Sequence, residues 1–295
     1  MASEQRNKKQ GNKFKLSHLP KLLVRTFHTW MEKQPFQISA VIAYYAILSL
    51  PGLLILILEL VGGIWGKEIV RGELFAEISS AMGPETAQSI QEMIADRGSE
   101  NTSLVATILG VGVLIYGATG VFYQLQNALN DIWNAKPKYS NEVLLTLFMR
   151  LKSFGFILIF GFLLLISFVL TSFLSAFSKQ LSRILPEGML ELGFVLDIVL
   201  SLTFIYVLFG AMFKYLPSRH VRWKAVKVGA ALTTLLFLIG KYALAFYFGK
   251  AEPGSTYGAA GSIILVMLWV SYSSLIVTFG AQFTKIYSDK YVKVN

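Results

Sequence analysis

The feature that most constrains this chain is a long apolar stretch near its C-terminus, from Tyr257 to Ile286. A helix needs roughly 20 predominantly apolar residues to cross a bilayer, and this stretch is longer than that. Its second half carries four polar residues spaced three, four and four apart, namely Ser271, Ser274, Thr278 and Gln282. Residues at that spacing share one face of a helix, and hydroxyl and amide groups form hydrogen bonds between helices in lipid. The stretch therefore predicts a helix inside a membrane bundle, with Ser274 and Thr278 as packing contacts.

Several small residues and one proline predict where helices approach closely or bend. Gly258 and Gly261 lie in the first turn of the C-terminal stretch, and Gly117 and Gly120 lie in an earlier apolar segment. Glycine lets two helix backbones approach each other in lipid. Pro51 lies inside another apolar segment, where it frees a backbone carbonyl one turn earlier and favours a kink. We expect close packing at the four glycines and a bend at the proline.

Of the 295 residues, 54% are hydrophobic, and apolar segments long enough to span a membrane recur along the chain. They predict six transmembrane helices, at about 37–60, 104–123, 154–177, 194–213, 226–248 and 258–284. The predicted fold class is therefore all-α, a polytopic membrane protein with interfacial amphipathic helices. The predicted organisation is a basic tail and interfacial helix over 1–35, a membrane domain over 36–287 and a short tail over 288–295.

The distribution of charge predicts the orientation of these spans. The net charge is +10, and lysine and arginine concentrate on the cytoplasmic side of membrane proteins. When both termini are placed in the cytoplasm, most of the basic residues fall in the two tails, the 2–3 loop and the 4–5 connector over 214–227. Five spans, seven spans or the inverse orientation would place at least one basic cluster outside. The basic connector also suits anionic lipid head groups, although topology alone explains its charge.

Two segments outside the predicted spans read as amphipathic helices. From Pro20 to Lys33 an apolar stripe, formed by Leu23, Phe27, Trp30 and Met31, alternates with basic residues, which is typical of a helix in the membrane interface. Residues 67–101 are rich in acidic side chains. There an apolar face, formed by Ile69, Leu74, Ile78 and Met82, precedes a break at Gly83-Pro84 and a second helix. We expect the two helices of 67–101 to lie outside the membrane, where they offer a surface for an envelope protein.

No set of residues for catalysis or cofactor binding is visible. The histidines are His18, His28 and His220, and none has the spacing of a metal site with carboxylates. The chain has no cysteine, no phosphate-binding glycine loop and no nucleophile elbow. We therefore predict no enzyme activity, no metal and no cofactor. The positive charge follows from membrane topology, so we predict no nucleic-acid partner.

Five polar residues are the candidates for function within or beside the spans. Lys241 lies inside the fifth span, and an ionisable residue there is a functional hypothesis by default; the alternative is that it snorkels to the interface. Asn127, Asn130 and Asp131 follow the second span and either line a cytoplasmic entry or form a solvated interfacial face. Gln282 closes the polar face of the sixth span, which suits helix packing better than a substrate path.

Three blocks of the chain carry a family resemblance. They read AVIAYYAILSLPGLLILIL at 40–58, YGATGVFYQLQNALNDIWN at 116–134 and YGAAGSIILVMLWVSYSSLIVTFGAQFTKIY at 257–287. In this order they resemble the YihY/BrkB family of bacterial inner-membrane proteins, once mislabelled ribonuclease BN. The resemblance implies six membrane helices and a role linked to virulence. The family commonly ends its last span with Gly-Ala-Glu, whereas this chain has glutamine at 282, which weakens a proton-coupled reading.

Three functions remain open from the sequence. The leading hypothesis is an inner-membrane transporter or membrane partner that handles lipid or another amphipathic envelope substrate, because the spans are apolar and amphipathic segments flank them. A small-solute or ion transporter would rest on Lys241 and on the Asn and Asp residues. A non-transporting scaffold would dock an envelope protein through 67–101. Ribonuclease activity has no support, because no metal ligands or acid–base set for phosphodiester cleavage is present.

Overall fold

The computed structural model describes residues 14–82, 84, 87–88, 90–91, 104–135, 143–159, 190–251 and 261–292. All the regular secondary structure in these ranges is helical, as predicted. A short 3-10 turn, Leu16–His18, precedes the first α-helix. The helices are α1 Leu19–Met31, α2 Pro35–Trp65, α3 Lys67–Met82, α4 Leu104–Ile132, α5 over 143–159, α6 Leu190–Tyr215, α7 Trp223–Ala251 and α8 Gly261–Tyr291.

The predicted spans coincide with helices wherever the structure describes them. Helices α2, α4, α6 and α7 contain the first, second, fourth and fifth predicted spans, and α8 contains the sixth from Gly261 onward. Helix α5 begins before the third predicted span and reaches its first residues; the rest of that span lies outside the described residues. Two of the described helices are long and apolar enough to cross a membrane, over Trp223–Phe248 and Ile263–Tyr291. The six-span topology and the cytoplasmic termini stay predictions.

Apolar stripes on the outside of the bundle fit a lipid environment. On α7, four large residues at helical spacing are between 56% and 72% exposed: Leu235, Ile239, Tyr242 and Phe246. On α2, Val41, Tyr44 and Leu48 form a second exposed stripe. Soluble monomers rarely expose contiguous apolar patches of this kind, and such patches mark membrane or protein contact. These stripes therefore indicate that the bundle's surroundings are apolar.

Helix α8 lies at the centre of the arrangement and packs against α1, α2, α4 and α7. Its contact with α7 is reciprocal. A Cβ added at Gly229 of α7 would overlap Thr284 of α8, and a Cβ added at Gly280 of α8 would overlap Thr233 of α7. Each threonine hydroxyl donates to the glycine carbonyl of its own helix, Thr233 to Gly229 and Thr284 to Gly280, both at 2.7 Å. Two Gly-xxx-Thr segments thus interlock, which is the small-residue packing expected between helices in lipid.

The main core connects the ends of α4 and α6 with α2, α7 and α8. Leu129 and Ile132 of α4, Phe213 of α6, Leu216 of the α6–α7 connector and Ala281 of α8 are all fully buried in it. This cluster fixes the end of the bundle at which the predicted polar residues lie.

Helix α1 is amphipathic as predicted, but its predicted stripe was partly wrong. The side chains buried against the bundle are Leu22, Thr26 and Trp30, spaced by one turn. Leu22 packs with Phe283 and Ile286 of α8. The predicted stripe members Phe27 and Met31 are 50% and 41% exposed. Apolar residues cover more than half of the circumference of this helix, so their spacing alone did not identify which side of α1 packs against the bundle.

The acidic segment forms α3 and packs onto the bundle. Leu74 and Ile78 lie, as expected, on its packed face, together with Phe75. Ile69, which was placed on the same face, is 53% exposed, so that assignment was wrong. A separate cluster joins Leu54, Ile90 and Val266 with the packed face of α3. The predicted second helix of this segment is described only at a few positions up to residue 91, and the break at Gly83 lies outside the description.

Candidate functional site

A cluster of polar side chains lies at the end of the bundle where α4 and α8 finish. Lys33, in the turn between α1 and α2, forms an ion pair with Asp131 of α4, with its Nζ 3.1 Å from Oδ2 and 3.2 Å from Oδ1. Both side chains are partly exposed, at 29% and 59%. Exposed pairs of this kind stabilise a fold by about 0–1 kcal/mol. The predicted candidate Asp131 is therefore held by a lysine and remains accessible to water.

Neighbouring groups connect two further segments, the α6–α7 connector and α8, to this ion pair. Asn134 adopts the left-handed conformation that ends α4, with φ 47°. In the amide orientation that satisfies both groups, its nitrogen donates to the Asp131 carbonyl at 3.1 Å and its oxygen accepts from Lys285 Nζ at 3.2 Å. Asn130 Oδ1 accepts from the Ser218 backbone N–H at 2.7 Å. Together with Arg219, which donates to the Trp133 carbonyl at 3.2 Å, these groups form what we call the end cluster: Lys33, Asn130, Asp131, Asn134, Ser218, Arg219 and Lys285.

The end cluster joins elements that are distant in sequence. It connects the α1–α2 turn, the end of α4, the α6–α7 connector and α8. Asn130 is occupied by a backbone group and Asp131 by Lys33, so both act as structural ties in this conformation. Asn127 is half-buried one turn earlier on α4.

The polar face of α8 lies inside the bundle. Thr278 is fully buried; it accepts a hydrogen bond from Trp30 Nε1 at 3.1 Å and donates to the Ser274 carbonyl at 2.9 Å. Ser274 is buried as well. The face therefore anchors α1 across α8. Gln282 is buried at its end, and its Oε1 has no hydrogen-bond partner within the part of the chain that is described.

The residues predicted to shape the bundle lie mainly between α2 and α4. A Cβ added at Gly120 would lie 2.9 Å from the Tyr45 ring, and one at Gly117 would lie 3.5 Å from the Leu48 carbonyl. Pro51 lies within α2, which continues through it to Trp65. Gly261 is buried at the start of α8, whereas Gly258 lies outside the described residues.

An open groove of about 390 Å³ lies between α6 and α7. Its lining is almost entirely apolar: Leu202, Thr203 and Tyr206 of α6, and Ala231, Thr234, Leu235 and Leu238 of α7. The hydroxyl of Thr234 is buried and has no hydrogen-bond partner among the described residues. Both helices expose large apolar side chains beside the groove, including Val207 and Ile239. The groove therefore opens toward the apolar surroundings of the bundle.

Basic residues lie at each end of the groove along α7. Trp223 and Lys227 are exposed and precede Ala231 at intervals of one turn, so they share its face. Lys241 follows Leu238 by three residues on the same face. It is half-buried and forms no hydrogen bond or ion pair with any described residue. Lys227 and Lys241 are 14 positions apart, which corresponds to about 21 Å along a helix.

The α6–α7 connector carries its own internal contacts. Lys214 donates to the Val221 carbonyl at 2.6 Å, and its Nζ lies 3.3 Å from His220 Nε2. Lys152 of α5 donates to the Leu216 carbonyl at 2.8 Å and to the Pro217 carbonyl at 3.1 Å. These lysines act as ties within the protein, whereas the exposed Lys224 and Lys227 point to the surroundings.

Arg150 of α5 was absent from the sequence-based candidates. It donates from Nη1 to the Tyr116 carbonyl at 2.8 Å and to Thr119 Oγ1 at 3.1 Å. Its guanidinium carbon lies 3.5 Å from the Tyr116 ring centroid and 5.2 Å from that of Tyr123. The third span was predicted to start at 154, after this arginine, although an apolar run from Val143 was already present to include it.

Among the described residues, no group of three or more histidine, aspartate and glutamate side chains is placed to hold a metal ion.

Comparison with known proteins shows the family to which the chain is similar. Residues 26–294 match the family described as Virulence factor BrkB. The chain is 26% identical over 218 residues to the UPF0761 membrane protein MS0032 of Mannheimia succiniciproducens, covering 73% of this chain and 70% of the relative. It is 24% identical over 274 residues to a UPF0761 membrane protein of Pseudoalteromonas atlantica, covering 92% and 88%. It is 27% identical over 261 residues to one of Tolumonas auensis, covering 86% and 81%.

No solved structure shows significant similarity to the chain. The names of the relatives identify membrane proteins and state no activity. The family match covers nearly the whole chain, and it includes all three sequence blocks that carried the resemblance. This chain is therefore a membrane protein that belongs to the YihY/BrkB family.

Proposed function

We propose that this protein binds an anionic amphipathic lipid, or an envelope precursor of similar chemistry, and presents or moves it within the inner membrane. The observation that carries the proposal is the α6–α7 groove, which has an apolar lining and a basic residue at either end of its α7 face. An amphipathic lipid combines these two features, because its acyl chain needs an apolar surface and its head group needs a cation.

The order of residues along α7 suits a head group next to an acyl chain. Ala231 lies four residues beyond Lys227, so the apolar lining begins about 6 Å from that lysine along the helix. Trp223 precedes the lysine by one turn, and tryptophan is enriched where a membrane meets water. Along one face, α7 thus changes from interfacial to basic to apolar, in the order in which a lipid changes from head group to chain.

The proposed orientation places the end cluster and the α6–α7 connector on the cytoplasmic side. The concentration of basic residues in the connector supports this orientation through the positive-inside rule. Lys227 would then meet anionic head groups of the cytoplasmic leaflet. Lys241 lies further along the groove, at the depth at which a transported head group would need a second cation.

The test is lipid retention and movement by the purified full chain. After gentle purification, native mass spectrometry should detect bound phosphatidylglycerol, and Ala231→Trp should reduce it severalfold because the indole fills the groove. Ile239→Trp is the matched control, because Ile239 is 58% exposed on the same helix but does not line the groove. In vesicles, redistribution of labelled phosphatidylglycerol between leaflets tests movement. Absence of bound lipid together with absence of redistribution would reject the proposal.

A small-anion transporter is the second candidate, and the half-buried Lys241 without a described partner favours it. Under this alternative, Lys241→Met abolishes flux of a small anion from loaded vesicles while the protein stays folded. Under the lipid proposal, the same variant lowers lipid redistribution and leaves small-anion flux at the level of empty vesicles. Lys250→Gln, at the far end of the same helix, serves as the control for loss of one positive charge.

A further inference from the structure

The guanidinium of Arg150 is fixed against one face of α4. Tyr116, Thr119 and Tyr123 are spaced three and four residues apart, so they form that face. Nη1 uses its donors on the Tyr116 carbonyl and the Thr119 hydroxyl, and the Tyr116 ring lies under the charge at stacking distance. A cation over an aromatic face is stabilised by the ring quadrupole. These contacts hold the guanidinium in place with neutral groups.

The positive charge of Arg150 has no acidic partner in the described part of the chain. An arginine has five N–H donors, and only those of Nη1 have acceptors among the described residues. The Nε atom is buried there without a hydrogen-bond partner. A partly desolvated guanidinium that lacks a counter-charge strongly favours an anion, and its planar fork matches phosphate geometry.

The residues around the guanidinium define the kind of anion. Leu147 and Leu151, which flank Arg150 on α5, are 64% and 66% exposed, and Tyr116 is 59% exposed. A ligand on this surface covers large apolar side chains and a cation at once, so it must be amphipathic. A free inorganic anion would leave the leucines uncovered.

We infer that Arg150, held by Tyr116, Thr119 and Tyr123, is a binding site for the phosphate of an anionic phospholipid. Basic positions between membrane helices bind such head groups in general. The site lies between α4 and α5, whereas the groove lies between α6 and α7. The inference therefore stands independently of the groove, and each site has variants that leave the other intact.

The experiment uses the full chain in lipid nanodiscs of phosphatidylcholine with a small fraction of phosphatidylglycerol. Retained phosphatidylglycerol is counted by native mass spectrometry for the wild type, Arg150→Gln and Arg150→Lys. We expect about a tenfold lower retention in R150Q at this site. R150K should lose less, because it keeps the charge but not the planar fork. Lys250→Gln, which removes one positive charge from an exposed position of α7 outside both sites, should leave the retention at the wild-type level.

A second arm separates lipid phosphate from free phosphate. Inorganic phosphate is added to the wild type in pure phosphatidylcholine nanodiscs, and thermal unfolding is followed. Stabilisation by phosphatidylglycerol but not by inorganic phosphate supports the lipid site, whereas equal stabilisation by both overturns it. Folded R150Q that retains phosphatidylglycerol like the wild type also overturns it. If R150Q does not fold, R150K and Tyr116→Leu decide, and wild-type retention in both rejects the inference.

Discussion

Helix α7 packs on α8 and on α6 in opposite ways. Toward α8, Gly229 and Thr233 interlock with Thr284 and Gly280 so closely that no Cβ fits at either glycine. Toward α6, the same helix leaves a groove of about 390 Å³ whose lining includes Thr234. Of two adjacent threonines on α7, Thr233 thus lies in the filled contact with α8, and Thr234 lies in the open groove toward α6.

The difference separates what holds the bundle together from what can bind a molecule. Without a hydrophobic driving force between helices in lipid, close packing and hydrogen bonds supply the attraction. The α7–α8 contact uses both, so it is expected to behave as a rigid pair. The α6–α7 contact is filled on the core side, by Phe213 and Val226 near the connector and by the rings of Phe209 and Phe237 further along, and the groove remains beside it. Any ligand or movement is therefore expected on the α6 side of α7.

The largest effect is expected from a methyl group added to the filled contact. Gly280→Ala places its Cβ against Thr233, and overpacking of this kind costs about 1–3 kcal/mol. The additional variant Thr233→Ala removes the nearest atom, the hydroxyl oxygen, and should restore part of the lost stability. Unfolding in detergent, followed by intrinsic fluorescence, measures both changes.

Gly72→Ala is the matched control for this substitution. Gly72 lies in α3 with no atom within 4 Å of an added Cβ, so alanine should be neutral or stabilising by up to about 1 kcal/mol. Equal stability of wild type and G280A would show that α7 and α8 can separate, and the rigid-pair description would then be wrong.

The sequence predicted more of the filled contacts than of the open ones. Serine, threonine and glutamine at helical spacing indicated packing on α8, and Gly117 and Gly120 were selected as sites of close approach, whereas Gly229 and Gly280 of the interlocked contact were not. Small side chains indicate by themselves that two helices approach closely, because close packing is what a membrane helix gains from them in lipid. A groove has no such signal, since it arises from the fit of two helices, and Thr234 resembles any other residue of an apolar run.

The misplaced residues have a common physical cause. Phe27 and Trp30 are both large and apolar, and the spacing on α1 could not decide which would face α8. Trp30 is buried because its Nε1 reaches the Thr278 hydroxyl, a contact between residues 248 positions apart. Arg150 was not among the candidates because the third span was predicted to begin at 154, after it, whereas in the structure its guanidinium stacks on the Tyr116 ring of α4.

Substituting valine for each of two adjacent threonines should change stability less than Gly280→Ala does, and it compares the two faces of α7 directly. Thr233→Val removes the hydroxyl that donates to the Gly229 carbonyl, which should cost about 0.5–1.5 kcal/mol. Thr234→Val removes a buried hydroxyl without a described partner, and its expected cost is near zero or slightly favourable. The two variants have the same change in composition, so their difference in detergent unfolding reports only the two faces of α7. Equal losses would contradict the division into a filled and an open face.

The smallest effect is expected at the end cluster, which differs from both faces of α7 because it is polar and open to water. Lys33→Gln removes the ion pair with Asp131, whose side chain is 59% exposed. Solvent screening limits the expected loss to about 0–1 kcal/mol, and added salt should reduce it further. Lys21→Gln, at an exposed lysine of α1, controls for the change in net charge. The measurement is unfolding at low and high ionic strength. A loss in K33Q above that of G280A, or one independent of salt, would mean that charge at the end of the bundle, and not the interlocked α7–α8 contact, dominates its stability.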